Sequence, residues 1–181
     1  MSAGLALVPG GGHAWRGPGP GLEPGGGHVL LRVGLTTFAL PLDEVQEVVR
    51  ATQLVLLPAS GQVVDGRPVA LCDVRGRAVP VVDLRADPEA PGDVVVPVDR
   101  ATVGAVVDRV VAVVGPGTLA AEDVAAAGLP DYARGVLRPV AGGEAARVLG
   151  GTAPVLAVAL PALVSLPAAI RAAPGTATRP S

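Results

Sequence analysis

A mainly β chain built from two similar small barrels is predicted by three observations. Valine dominates the middle of the sequence, as in Val94-Val95-Val96, Val106-Val107 and Val113-Val114, and side chains branched at Cβ fit a pleated surface better than a helix. Residues Val29 to Val49 lie over Val94 to Val114 without a gap, at a shift of 65 residues. No segment keeps a helical apolar period beyond two turns. A repeat of this size made of short strands closes most simply into a small barrel, which removes the edges through which valine-rich sheets aggregate.

Taken in order, residues 1–27 hold ten glycines and four prolines and bury too little apolar surface to offset their ordering entropy, so they read as a flexible leader. Trp15-Arg16 within it reads as incidental. Val29, Leu31 and Val33 alternate with Leu30 and Arg32, the period of a half-buried strand. Gly34 to Thr37 turns the chain into Phe38-Ala39-Leu40. Asp43 to Arg50 places acids first and arginine last, as a helix dipole prefers, yet is rich in valine; it reads as one helical turn running into a strand. Asp65-Gly66 and Arg75-Gly76 supply turns. Val148 to Ile170 is uncharged and long enough to span a bilayer, but Gly150, Gly151, Pro154, Pro161 and Pro167 would break such a helix, and the segment reads as buried strand and turn. Residues 167–181 form an Ala/Pro/Thr-rich flexible tail. The folded part is 28–166, split near residue 90, with strand exchange between the halves allowed.

Composition excludes much chemistry. The chain of 181 residues carries a formal charge of -2 and no lysine, so the phosphate-binding, Schiff-base and kinase lysines are missing together. His13 and His28 are the only histidines, which leaves little for general acid–base work. Cys72 stands alone, so neither a disulfide framework nor a cysteine metal site is available. No cofactor or metal site is expected. The pI of about 5.6 argues against nucleic acid as a partner, and no signal-peptide core precedes the folded part. A cytoplasmic location without membrane insertion is expected.

The remaining polar residues have bland readings. Asp73, Asp83 and Asp108 lie beside apolar runs without a catalytic loop around them, and serve as turn makers or partners for Arg75 or Arg77. Cys72 in an apolar strand reads as a small buried hydrophobe, and His28 as a rim residue. Arg75-Gly76-Arg77 and Tyr132-Ala133-Arg134-Gly135 present arginine and tyrosine on turns, residue types enriched where proteins meet. The expectation from residues alone is a non-enzymatic double-barrel binding module.

Four ordered motifs then carry a resemblance. Ala70-Leu71-Cys72-Asp73-Val74-Arg75-Gly76-Arg77-Ala78-Val79-Pro80-Val81-Val82-Asp83-Leu84 resembles the signature of CheW-like domains, Gly-Val-x-Asn-Leu-Arg-Gly-x-x-x-Pro-Val-x-Asp-Leu. Phe38 to Val48 resembles the family's ALPLxxVxEV run, Val103 to Val110 its VGxxVDxV run, and Tyr132 to Val136 its YxxGV. The resemblance implies two SH3-like, five-stranded β subdomains. It also implies a non-catalytic adaptor that couples chemoreceptor cytoplasmic tips to the regulatory domain of the histidine kinase CheA in chemotaxis-type signal transduction. Arg75, Gly76 and Arg77 match the kinase-facing hairpin. Val45, Glu47, Val107 and Val110 match the groove where a receptor tip docks.

Ala70 stands for the motif glycine and Asp73 for the motif asparagine. Leu57-Pro58-Ala59-Ser60 lacks the second proline of the family loop, and Leu160-Pro161 stands where Leu-Asp is common. A divergent module in a non-chemotactic two-component pathway, or a generic SH3-like binding module, are the alternatives.

Overall fold

The structure is a computed structural model and describes residues 26–51, 54–56, 63–64, 67–100, 102–123, 129–167 and 170. Trp15-Arg16, Leu57 to Ser60, Asp65-Gly66 and nearly all of both expected flexible termini lie outside the described residues.

Valine-rich segments become strands as expected. The first half supplies β1 (His28–Val33), β2 (Thr36–Pro41), β3 (Val45–Arg50), β4 (Leu54–Leu56), β5 (Val63–Val64), β6 (Arg67–Pro68), β7 (Ala70–Val74) and β8 (Arg77–Asp83). The second supplies β9 (Asp93–Pro97), β10 (Gly104–Val107), β11 (Arg109–Val114), β12 (Leu119–Glu122), β13 (Gly135–Pro139) and β14 (Val155–Ala157). A single 3-10 turn, Leu42–Glu44, leads into β3, which is the helical turn and strand read from Asp43 to Arg50.

The halves are interlocked. One six-stranded sheet has the order β11-β1-β2-β14-β13-β12, and the other β3-β9-β10-β8-β7-β4. Each half therefore gives its first hairpin, β1–β2 or β9–β10, to the sheet completed by the other half. Each sheet holds six strands where the resemblance implies five. The sheets match strand for strand. Both contain one parallel seam, β2 beside β14 and β10 beside β8. Both carry a bulge at the same place, with Gln46 extra in β3 and Val111 extra in β11, and such bulges bend a strand and increase its twist.

Register refines the internal repeat. Val48 pairs with Val95 while Val113 pairs with Val29, so Val95, and not Val94, occupies the place of Val29. The shift of 65 holds from β2 onward: Leu40 and Ala105 are the equivalent partners of Val29 and Val95. The gapless overlay is thus one residue out in the first strand, a slip that abundant valine conceals.

Three apolar clusters hold the assembly. Val29, Leu31, Phe38 and Leu40 meet Val82, Leu84, Val95 and Val107 between the sheets. Leu30, Ala39, Leu137 and Ala157 fill one curled sheet, and Cys72, Val81, Val94 and Val106 the other. β1 was expected to be half-buried, yet Leu30 is buried along with Val29 and Leu31. A curled sheet packed on both sides needs apolar residues on both faces of its strands.

Two helices depart from the expectation. α1 (Glu144–Leu149) buries Ala145 and Ala146 and ends at Gly150 in the left-handed region, φ 72°, where glycine avoids a Cβ clash. α2 (Leu160–Val164) follows β14 with Pro161 in its first turn, a position where the missing proline N–H costs nothing. The described part of Val148 to Ile170 is therefore strand, turn and helical pieces. Past residue 166, Ile170 packs on the cluster between the sheets.

Candidate protein-interaction surface

The β7–β8 hairpin turns in two residues. Arg75 has φ 54° and Gly76 φ 78°, and Arg75 is the one non-glycine residue at positive φ among those described. Positive φ at both loop positions suits the right-handed twist of the flanking strands, but it is unfavourable for arginine, whose Cβ crowds the following carbonyl. Asp73 steadies the turn: its Oδ1 accepts the Gly76 N–H at 2.7 Å. The aspartate at the motif asparagine position thus supplies the acceptor oxygen an asparagine would.

The tip folds onto β3. Arg75 Nε stands 3.2 Å from Glu47 Oε2, with the arginine side chain 80% exposed and the glutamate 21%. Arg77, at the start of β8, is exposed and forms no ion pair among the described residues.

The expected groove residues separate into two kinds. Val45 and Val110 are half-buried and pack on the cluster between the sheets. Glu47 is half-buried beside them on β3. Val107 has no exposed surface, so its side chain supports the groove from the core and presents nothing to a partner. A β-strand position flanked by apolar neighbours on both sides gives no sequence sign of which face is covered.

The aspartates are absorbed by structure. Asp108 Oδ2 accepts the Gly34 N–H at 2.6 Å and Oδ1 the Ala86 N–H at 3.0 Å, fastening the β1–β2 turn to the linker after β8. Asp83 grips Arg85, at 2.9 Å to Nε and 2.7 Å to Nη2. Its partner is therefore Arg85 and not Arg75 or Arg77. That bidentate contact strengthens the hold on the guanidinium proton, so the Arg85 pKa is raised, chiefly by the Asp83 hydrogen bonds. Asp93 Oδ2 accepts the Val110 N–H at 2.6 Å while Oδ1 pairs with Arg50 at 3.0 Å.

A further polar junction was not foreseen. Glu44 Oε1 accepts from Arg134 at 2.9 Å and Oε2 accepts the Leu160 N–H at 2.7 Å. One carboxylate from the first half so fastens two segments of the second. Arg134 was expected to be presented to a partner; its side chain instead turns onto Glu44. Tyr132 packs edge-on to Phe38, with ring centroids 6.4 Å apart, and burial raises its phenol pKa. Cys72 is buried, and its thiol pKa is raised by burial first and by Asp73 second. This keeps it in the unreactive protonated form. Among the described residues no cluster of three or more His, Cys, Asp or Glu could hold a metal ion. Nor, among them, is any helix long and apolar enough to cross a membrane.

Two interlocked β-sheets around a shared core, with Asp73, Asp83, Asp93, Asp108 and Glu44 bound into turns and junctions, define a double-sheet β domain. Residues 27–153 match the CheW-like domain family, and the chain belongs to that family, one of non-catalytic scaffolds of the chemotaxis type. Among solved structures it is similar to the scaffolding protein TtCheW from Thermoanaerobacter tengcongensis, at 14% identity and a TM-score of 0.45, over 74% of this chain and 88% of that one. No curated protein sequence matches it.

Proposed function

We propose that this chain is a cytoplasmic, non-catalytic adaptor that couples the cytoplasmic tip of a chemoreceptor to the regulatory domain of a CheA-type histidine kinase. Family membership over residues 27–153 supports the adaptor class. The observation that carries the kinase contact is the β7–β8 tip. An arginine is held there at an unfavourable positive φ and 80% exposed, and backbone strain kept on a surface turn is a mark of function. Arg75 and Arg77 present guanidinium groups to the kinase, with Gly76 allowing the turn. Val45, Glu47 and Val110 line the receptor side, and Val107 backs them from the core.

The adaptor works by geometry. Its interlocked halves cannot shift independently without breaking strand pairing, so a displacement of the receptor tip is passed to the kinase as a bias between activity states. The test is affinity for the purified regulatory domain of the kinase. Arg75→Glu should weaken binding at least tenfold with an unchanged circular dichroism spectrum, and unaltered affinity would overturn the assignment of the hairpin.

A further inference from the structure

The duplicated architecture builds the same cleft twice, once at each parallel seam. At the β2–β14 seam a groove of about 390 Å³ is lined by Arg32, Leu35, Thr37, Ala153 and Val155. At the β10–β8 seam a cleft of about 240 Å³ is lined by Arg77, Val79, Val96, Arg100 and Thr102. The pairings Ala39–Ala157 and Gly104–Val81 make the seams equivalent. Val79 therefore stands where Val155 does, Arg77 where Ala153 does, and Thr102 where Thr37 does. Arg100 falls on Leu35 at the common shift of 65.

The two clefts differ in chemistry at the positions that matter. Where one carries leucine and alanine, the other carries two exposed arginines, and neither Arg77 nor Arg100 is paired with a carboxylate among the described residues. Val79 and Val96, which also line the cleft, are buried. A cleft lined by two exposed arginines over buried valines suits a side chain that ends in a carboxylate, whose oxygens can accept from guanidinium N–H groups. The chain as a whole carries a charge of -2, so an acidic partner is not drawn to it generally and is favoured at this spot.

We infer that the Arg77–Arg100 cleft docks an acidic segment of a protein partner, one bearing glutamate or aspartate. The inference deepens the hairpin reading, with which it shares Arg77, and adds Arg100 from the β9–β10 loop. The probe is a fluorescein-labelled, glutamate-rich octapeptide, followed by anisotropy against the full chain in low-salt buffer. Arg77→Gln with Arg100→Gln should weaken binding at least tenfold. Arg109→Gln with Arg147→Gln, two exposed arginines elsewhere, should leave it within twofold.

Four results would overturn the inference: no peptide binding, unaltered binding by the Arg77/Arg100 variant, equal loss in both double variants, or retention on heparin or anionic vesicles with the same dependence on Arg77 and Arg100. The last would make the cleft a general polyanion site. Kinase affinity of Arg75→Glu, measured in parallel, separates the two readings. Its loss alongside unaltered peptide binding to the Arg77/Arg100 variant sinks the cleft and leaves the hairpin standing.

Discussion

Arg75 and Glu47 meet at 3.2 Å although their strands stand far apart in the sheet. Glu47 is on β3 at one edge of the order, and Arg75 on the tip between β7 and β8 near the other, so their contact marks how tightly the sheet curls. The resemblance assigns these residues to different surfaces, kinase-facing and receptor-facing. On the proposed function, their contact would link the two surfaces electrostatically.

That link rests on a residue whose backbone is unfavourable. Arg75→Asn removes an exposed ion pair worth at most about 1 kcal/mol and relieves a left-handed arginine at about 1–2 kcal/mol. Urea unfolding should therefore find the variant more stable by about 0.5–1 kcal/mol, while its affinity for the kinase falls. A variant that is destabilised would show that the turn is not strained.

Glu44 joins the halves through two hydrogen bonds, both charge-assisted because the acceptor is a carboxylate. Glu44→Ala leaves the Leu160 N–H and the Arg134 guanidinium without that acceptor. A loss of about 2–3 kcal/mol in the unfolding free energy from urea titration is expected. Glu44→Gln should recover part of it, because the amide oxygen can still accept from one partner. Equal stability of Glu44→Ala and the parent would remove Glu44 as a junction.

Gly104 opens β10 beside β9. A Cβ there would come within 2.7 Å of the Val95 carbonyl oxygen, a backbone atom that cannot swing aside. Gly104→Ala should lower stability by about 2 kcal/mol or more, in the range of overpacked cores. Val107→Ala should also cost about 2 kcal/mol, as the loss of buried methyl groups predicts, whereas Val45→Ala should cost less because Val45 is half-buried. Denaturation midpoints of the three variants check that order.

Stability should fall at alkaline pH. Burial holds the Tyr132 phenol above its ordinary 10.0 and, with help from Asp73, the Cys72 thiol above 9.0. The folded chain thus keeps these protons longer than the unfolded chain does. The stabilisation is complete below about pH 9 and is lost as pH rises through the folded values. Urea midpoints measured from pH 8 to 11 should decline, and Tyr132→Phe should remove the phenol share. A flat profile would contradict the burial of both groups.

How much of this was legible in the sequence depended on whether a feature was local. The valine runs, the turn before β3 and the Arg75-Gly76 hairpin are written in neighbouring residues, and all stand where the sequence placed them. The two short helices were hidden because six and five residues are too few for a helical period to emerge. The Glu44 junction was hidden because its partners lie 90 and 116 residues away, and Arg134 was misread for the same reason. Val107 was placed at the groove by the family resemblance, which matches positions along the chain without saying which face a side chain takes, and in this strand that face is the core.

The adaptor reading is tested most directly by sedimentation of receptor-bearing vesicles with the purified kinase. With this chain present, the kinase should pellet with the vesicles, and without it the kinase should stay in the supernatant. A kinase that pellets equally in both cases, or in neither, would contradict the account.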